Sequence, residues 1–150
     1  MNISIHSRET IEFLIATNFP KNTAVISFND PLSTNTYDCI PPVDFKCKCE
    51  RIFRLDLPDI DIDSLDEYGY SIETYFSEAE SLAEYIIKAH NDGLYIICQC
   101  EYGQSRSSGC AAAILEFYEH NGISIFSNYH YYPNKLIFNK LLYALKKITL

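Results

Sequence analysis

The chain has 150 residues, 47% hydrophobic and 21% charged, with a net charge of −8. Such a composition excludes a disordered chain and is long enough to bury a core without staples. The acidic balance excludes the broad basic surface that general nucleic-acid or anionic-membrane binding needs, although it leaves room for one local cationic pocket.

In chain order, Ile3 and Ile5 alternate with polar residues as a short strand. Ser7 suits an N-cap for a helix with Ile11, Leu14 and Ile15 on one face, and Asn18 to Asn22, with Pro20, break it. Ala24 to Phe28 reads as a second strand, stopped by Asn29-Asp30-Pro31. Residues 30–50 form the longest irregular stretch, with Pro31, Pro41 and Pro42. Glu50 to Leu57 alternates as a third strand that Pro58 ends, and an acidic loop follows with Asp56, Asp59, Asp61, Asp63 and Asp66. Apolar residues at 72, 75, 76, 79, 82, 83, 86 and 87 predict one long amphipathic helix. Asn91-Asp92-Gly93 stops it, with Gly93 suited to a left-handed C-cap. Leu94 to Cys98 is a short apolar run and the fourth strand. A loop containing Gly103 leads into a small-residue helix from Ser107 to about His120, closed by Asn121-Gly122. Residues 123–132 are aromatic-rich and irregular, and Pro133 suits the first position of a last helix through Leu136, Leu141, Leu145 and Ile148.

Strands alternating with helices predict an α/β fold: a central, mostly parallel sheet of four to five strands with helices on both faces. One domain over residues 1–150 is expected. No apolar run approaches the ~18 residues of a membrane span. The start, Met1-Asn-Ile-Ser-Ile-His6, lacks the basic flank and apolar region of a signal peptide, so a cytoplasmic protein is expected. Six cysteines in this length are not a disulfide scaffold, and reduced thiols are expected. Cys47-Lys48-Cys49 with Cys39 nearby is spaced too tightly for a zinc finger and has no histidine close by, so neither metal nor cofactor is expected. Cys98 and Cys110 suit core filler.

The chemistry concentrates in the loop Cys100-Glu101-Tyr102-Gly103-Gln104-Ser105-Arg106-Ser107. The residues between Cys100 and Arg106 can turn their backbone N–H groups inward as an anion nest. The following helix aims its positive end at the same point, and the Arg106 guanidinium adds a planar fork for two oxyanion oxygens. Together these suit a tetrahedral dianion such as a phosphate ester. The same field favours the thiolate of Cys100, which lies in position for in-line attack on a bound phosphoryl group. Ser107 can hydrogen-bond the sulfur, and Gly103 permits the tight turn. The bare thiol–arginine spacing arises readily by chance. The strand before it, the glycine inside it and the helix after it are what make it specific.

The run Ile97 to Ser108 resembles the signature of the cysteine-dependent protein tyrosine and dual-specificity phosphatases, and most of all small bacterial tyrosine phosphatases. The order of elements resembles that family from about residue 50 to 147, as do Asn128-Tyr129 and Tyr132-Pro133-Asn134 before the last helix, whereas residues 1–50 match only loosely. The resemblance implies that Cys100 is the nucleophile, Arg106 the phosphate clamp and Ser107 the thiolate partner, with Glu101, Tyr102, Gly103, Gln104 and Ser105 supplying the backbone cradle. It implies hydrolysis of phosphate monoesters through a phosphocysteine intermediate, with a phosphorylated protein or other phosphate monoester as partner. One departure stands out: the family places histidine before the nucleophile, and this chain has Gln99. The family's general acid is an aspartate upstream of the long helix. Asp59 matches that position best, followed by Asp56 and Asp61, with Asp30 a remoter candidate. Tyr102 and the aromatic residues 129–132 suit an aryl ester. The rival reading is a weak or inactive pseudophosphatase that recognises phosphorylated partners. An arsenate reductase carries a similar loop near its N-terminus and a rhodanese a shorter one, so both fit less well.

Overall fold

The structure is a computed structural model that describes residues 1–31 and 40–150. Expectations for residues 32–39, Cys39 among them, lie outside the described residues. Four strands, β1 (Ile3–His6), β2 (Thr23–Asn29), β3 (Arg51–Asp56) and β4 (Tyr95–Gln99), form one sheet in the order β1-β4-β2-β3. Every neighbouring pair is parallel, with Ile26 opposite both Phe53 and Cys98. The five helices are α1 (Arg8–Ala16), α2 (Ala79–Asn91), α3 (Arg106–Glu119), the single turn α4 (Ile123–Phe126) and α5 (Lys135–Ile148).

The strand period of two divides the core between the faces of the sheet. Ala24, Ile26, Phe28, Ile96 and Cys98 pack with the buried stripes of α2, α3 and α5. Val25 and Ile97 pack with Ile11 and Ile15 of α1 and with Val43 and Phe45. Helices therefore cover both faces, and β2 is buried at every position. α3 lies in the centre, with all residues from Arg106 to Leu115 buried. This explains its small side chains, which let α5 approach. At Gly109 an added Cβ would lie 2.6 Å from the Asn134 carbonyl oxygen, so only glycine allows the two helices to meet there.

Three expectations are corrected. The long helix does not begin at Ile72, which is exposed; α2 begins at Ala79. Ser71 and Thr74 exchange backbone–side-chain hydrogen bonds of 2.8 and 3.2 Å and close a separate turn. Phe76 then takes a left-handed conformation with φ 58°. That bend buries Tyr75 and Phe76 side by side, which a continuous helix with 3.6 residues per turn would not do in the same way. The last helix begins two residues later than Pro133 predicts: the Asn134 side chain caps it by accepting from the Ile137 N–H at 2.9 Å, and Lys135 is its first residue. Residues 123–126, expected to be irregular, form α4, and His120 in the left-handed region (φ 53°) ends α3 ahead of Asn121-Gly122.

Ile114, fully buried on α3, tests the core. Ile114→Ala should lower the free energy of unfolding by about 2–5 kcal/mol in urea denaturation, the cost of a buried truncation with its cavity.

Candidate active site

β4 ends at Gln99 and α3 starts at Arg106, so residues 100–105 form the loop at the C-terminal edge of the parallel sheet. This is where open α/β sheets place their ligands. Cys100 is 2% exposed and its N–H donates to the His6 carbonyl at 3.2 Å, which continues the β1–β4 ladder by one step. Its Sγ lies 3.0 Å from Ser107 Oγ, so the hydroxyl and the sulfur are in direct contact.

The loop carbonyls are held from outside. The Arg8 N–H donates to Glu101 O at 3.0 Å, the Tyr132 N–H to Gln104 O at 2.9 Å and the Asn134 N–H to Ser105 O at 3.0 Å. Ser108 Oγ also donates to Gln104 O and Ser105 O. In a trans peptide the C=O and the next N–H point in opposite directions. Carbonyls turned out at 101, 104 and 105 therefore turn the N–H groups of Tyr102, Ser105 and Arg106 in. None of the N–H groups of residues 101–105 has a hydrogen-bond partner among the described residues. The loop therefore keeps these donors unspent.

Two further features hold the loop in shape. Gly103 has φ 66°, and a Cβ there would lie 2.7 Å from the Ser7 backbone nitrogen, so the loop turns tightly against the cap of α1. The Glu101 carboxylate points away from the cradle and pairs with Arg8 Nε at 2.8 Å. Glu101 therefore contributes its backbone to the cradle and its side chain to the brace. Tyr102 projects outward, 78% exposed.

Arg106 is 4% exposed. Its Nη1 donates to Asp30 Oδ1 and to the Leu57 carbonyl, both at 2.8 Å. Its Nε is buried and has no partner among the described residues. A buried donor on a permanent cation is costly to leave unpaired, so its natural complement is an anion.

The structure separates the acidic residues. Asp59 Oδ1 accepts from Ser105 Oγ at 2.7 Å and from Asn134 Nδ2 at 2.9 Å, which ties it to the cradle. Asp61 caps the short 3-10 turn at 62–64 by accepting from the N–H groups of Asp63 and Ser64 at 3.0 and 3.1 Å. Asp56 ends β3, exposed. Asp30 contacts Arg106. Asn134 also donates to the Ile60 carbonyl at 3.1 Å, and Tyr75 Oη donates to the Pro58 carbonyl at 2.7 Å, so the aspartate loop is held on both sides. A groove of about 580 Å³ opens beside it, lined by Asp59, Asp61, Ser105, Tyr132, Asn134 and Lys135.

Beneath the loop, Cys98 Sγ donates to Cys110 Sγ at 3.8 Å, and burial pushes the Cys110 thiol well up, which keeps it neutral filler. Gln99 is buried and its Oε1 accepts from Ser27 Oγ at 2.5 Å. Sequence reasoning did not anticipate the roles of Arg8, Asn134 or the Asp30 contact. For Asn134 the Tyr132-Pro133-Asn134 likeness carried a signal; for Arg8 nothing local did.

No family model and no curated protein matches the chain. Among solved structures it is similar to the human tyrosine phosphatase-like serine/threonine/tyrosine-interacting protein, with a TM-score of 0.60, 12% identity, and coverage of 99% of this chain and 94% of that one. It is also similar to PTPMT1 in complex with PI(5)P, with a TM-score of 0.58, 16% identity, and coverage of 99% and 92%. Human DUSP28 superposes with a TM-score of 0.57, 13% identity, and coverage of 98% and 93%. The fold is therefore that of the cysteine-dependent tyrosine and dual-specificity phosphatases.

The Tyr75 phenol is pushed up from 10.0 to about 12, chiefly by burial. A phenol that keeps its proton longer when folded stabilises fully below its ordinary value, and that contribution drains away as pH rises towards the folded value. Wild-type stability should therefore fall between pH 10 and about 12. Tyr75→Phe should flatten that fall and remove one late-titrating tyrosinate from the ultraviolet absorbance titration.

Proposed function

We propose that this protein hydrolyses phosphate monoesters through a phosphocysteine intermediate on Cys100. The observation that carries the reading is the set of donors without partners among the described residues around one sulfur: the N–H groups of residues 101–105 and the buried Nε of Arg106. The lateral edge of a guanidinium, Nε with Nη2, matches two oxygens of a phosphoryl group. The cradle takes the remaining charge.

In the proposed reaction the Cys100 thiolate attacks phosphorus, an S–P bond forms and the ester P–O bond breaks. The leaving oxygen takes a proton from Asp59. Both hydrogen bonds to Asp59 reach Oδ1, which leaves Oδ2 to hold and deliver that proton. Water then attacks phosphorus, Asp59 accepts its proton, and the thiolate departs with a hydrogen bond from Ser107 Oγ. The active species is the protein alone, without metal. Exposed Tyr102 in the loop and Tyr132 beside it favour an aryl ester, such as a phosphotyrosine side chain, as the substrate. PTPMT1, similar in fold, binds PI(5)P in its solved complex, which makes a phosphoinositide the comparison substrate.

A second reading has a specific observation behind it. Gln99 spends its amide oxygen on Ser27 and presents an uncharged side chain where the resembled family has histidine. The similar human protein is named phosphatase-like and interacting. A phosphate-binding protein with slow turnover would have the same cradle.

Hydrolysis of p-nitrophenyl phosphate should vanish in Cys100→Ser, while the variant still binds phosphotyrosine peptide. Asp59→Asn should lower kcat by about 10²- to 10⁴-fold with little change in KM, the usual contribution of a general acid. Wild-type protein that binds the peptide and releases no phosphate would establish the second reading instead.

A further inference from the structure

A buried arginine side chain reaching a cradle can present several edges. Only the edge made of Nε and Nη2 is a fork with two parallel N–H bonds on the side of the chain. Nη1 lies on the opposite side of that fork. In this structure Nη1 is the nitrogen held by the protein, by Asp30 Oδ1 and Leu57 O, each at 2.8 Å. Nε is buried and has no partner among the described residues.

We propose, resting on the reading of Arg106 as the phosphate clamp, that Asp30 is a positioning residue: it anchors the far nitrogen of Arg106 so that the phosphate-binding edge faces the cradle before any ligand arrives. The Arg106 side chain is 5% exposed, and a charge that deeply buried needs compensation when the site is empty. Asp30 supplies it from a side chain that is itself 54% exposed, so the pair keeps one end in water. The carboxylate stays on the Nη1 side, so it does not occupy the edge that a phosphoryl group would use. It is an anchor and not a competing ligand.

The neighbouring backbone supports the same geometry. The Leu57 N–H donates to the Asn29 carbonyl at 3.0 Å, extending the β2–β3 pairing one step past the strands. That step fixes the Leu57 carbonyl and Asp30 relative to each other. It also brings the end of β2, the aspartate loop after β3 and the start of α3 onto one nitrogen. Asn29 Nδ2 and Arg106 Nε are the buried side-chain donors without partners among the described residues, so both fall at this junction.

The test is the affinity for inorganic phosphate, measured by isothermal titration on the full chain, with p-nitrophenyl phosphate kinetics and Tm in parallel. Asp30→Ala should weaken phosphate binding by about tenfold or more, the scale of a lost charge-assisted hydrogen bond. The Leu57 carbonyl still accepts from Nη1 in that variant but carries no charge, so Tm should fall, and the titration is made well below the variant's Tm. Asp30→Asn keeps an acceptor oxygen and should recover most of the affinity. Unchanged or tighter phosphate binding by Asp30→Ala would overturn the proposal, the latter by making Asp30 a competitor. Equal losses in the Ala and Asn variants would overturn it too, because Asp30 would then act through charge alone and not as an anchor. If wild type binds phosphate without turning over the ester, the hydrolase reading fails and these titrations still decide Asp30. If wild type binds no phosphate, both fail.

Discussion

The feature on which the candidate site depends is a short loop whose amide protons have no partner among the described residues. A backbone that satisfies its own N–H groups folds into a helix or a ladder. Here residues 101–105 do neither, and the carbonyls are held instead. Arg8, Tyr132 and Asn134 supply backbone donors, Ser108 supplies a hydroxyl, and Gly103 permits the close approach to Ser7. The free energy for an open cradle is therefore provided by α1, α3 and the segment before α5. α1 and α3 pack their buried residues against the sheet, and α5 packs against α2 and α3.

Much of this was legible in the sequence because it is local. The β4 run, the loop and the small-residue helix are contiguous, and the thiol, the guanidinium and the hydroxyl all fall between Cys100 and Ser107. The alternation of strands and helices pointed to the parallel sheet, since crossovers of that length admit little else. Ser7 as an N-cap and Gly93 in the left-handed region were set by their own chemistry.

What was not legible depends on contacts across the chain. Asp59 differs from Asp56 and Asp61 because Ser105 and Asn134 reach it, and those residues are 46 and 75 positions away. Period alone assigned residues 72–78 to a helix, because Ile72, Tyr75 and Phe76 have helical spacing. The Ser71–Thr74 turn and the left-handed Phe76 override it by burying both rings at once. Asp30 looked like part of a strand-ending turn, and only the fold shows it meeting Arg106 from 76 positions away.

The bracing of the loop also fixes an order of assembly. Its holders come from the two ends of the described chain, Arg8 near the start and Tyr132 and Asn134 near the finish. Among the described residues β1 pairs with β4 alone, where Ile3 meets Ile96 far along the chain. Until Tyr132 and Asn134 have left the ribosome, a nascent chain has Cys100 and Arg106 without the contacts that hold the loop. Contacts of such separation form late, because loop closure must be met before they stabilise anything. The thiol is thus made early and the cradle around it last. A partly made or partly unfolded chain has the Cys100 thiol without the loop geometry that surrounds it in the fold.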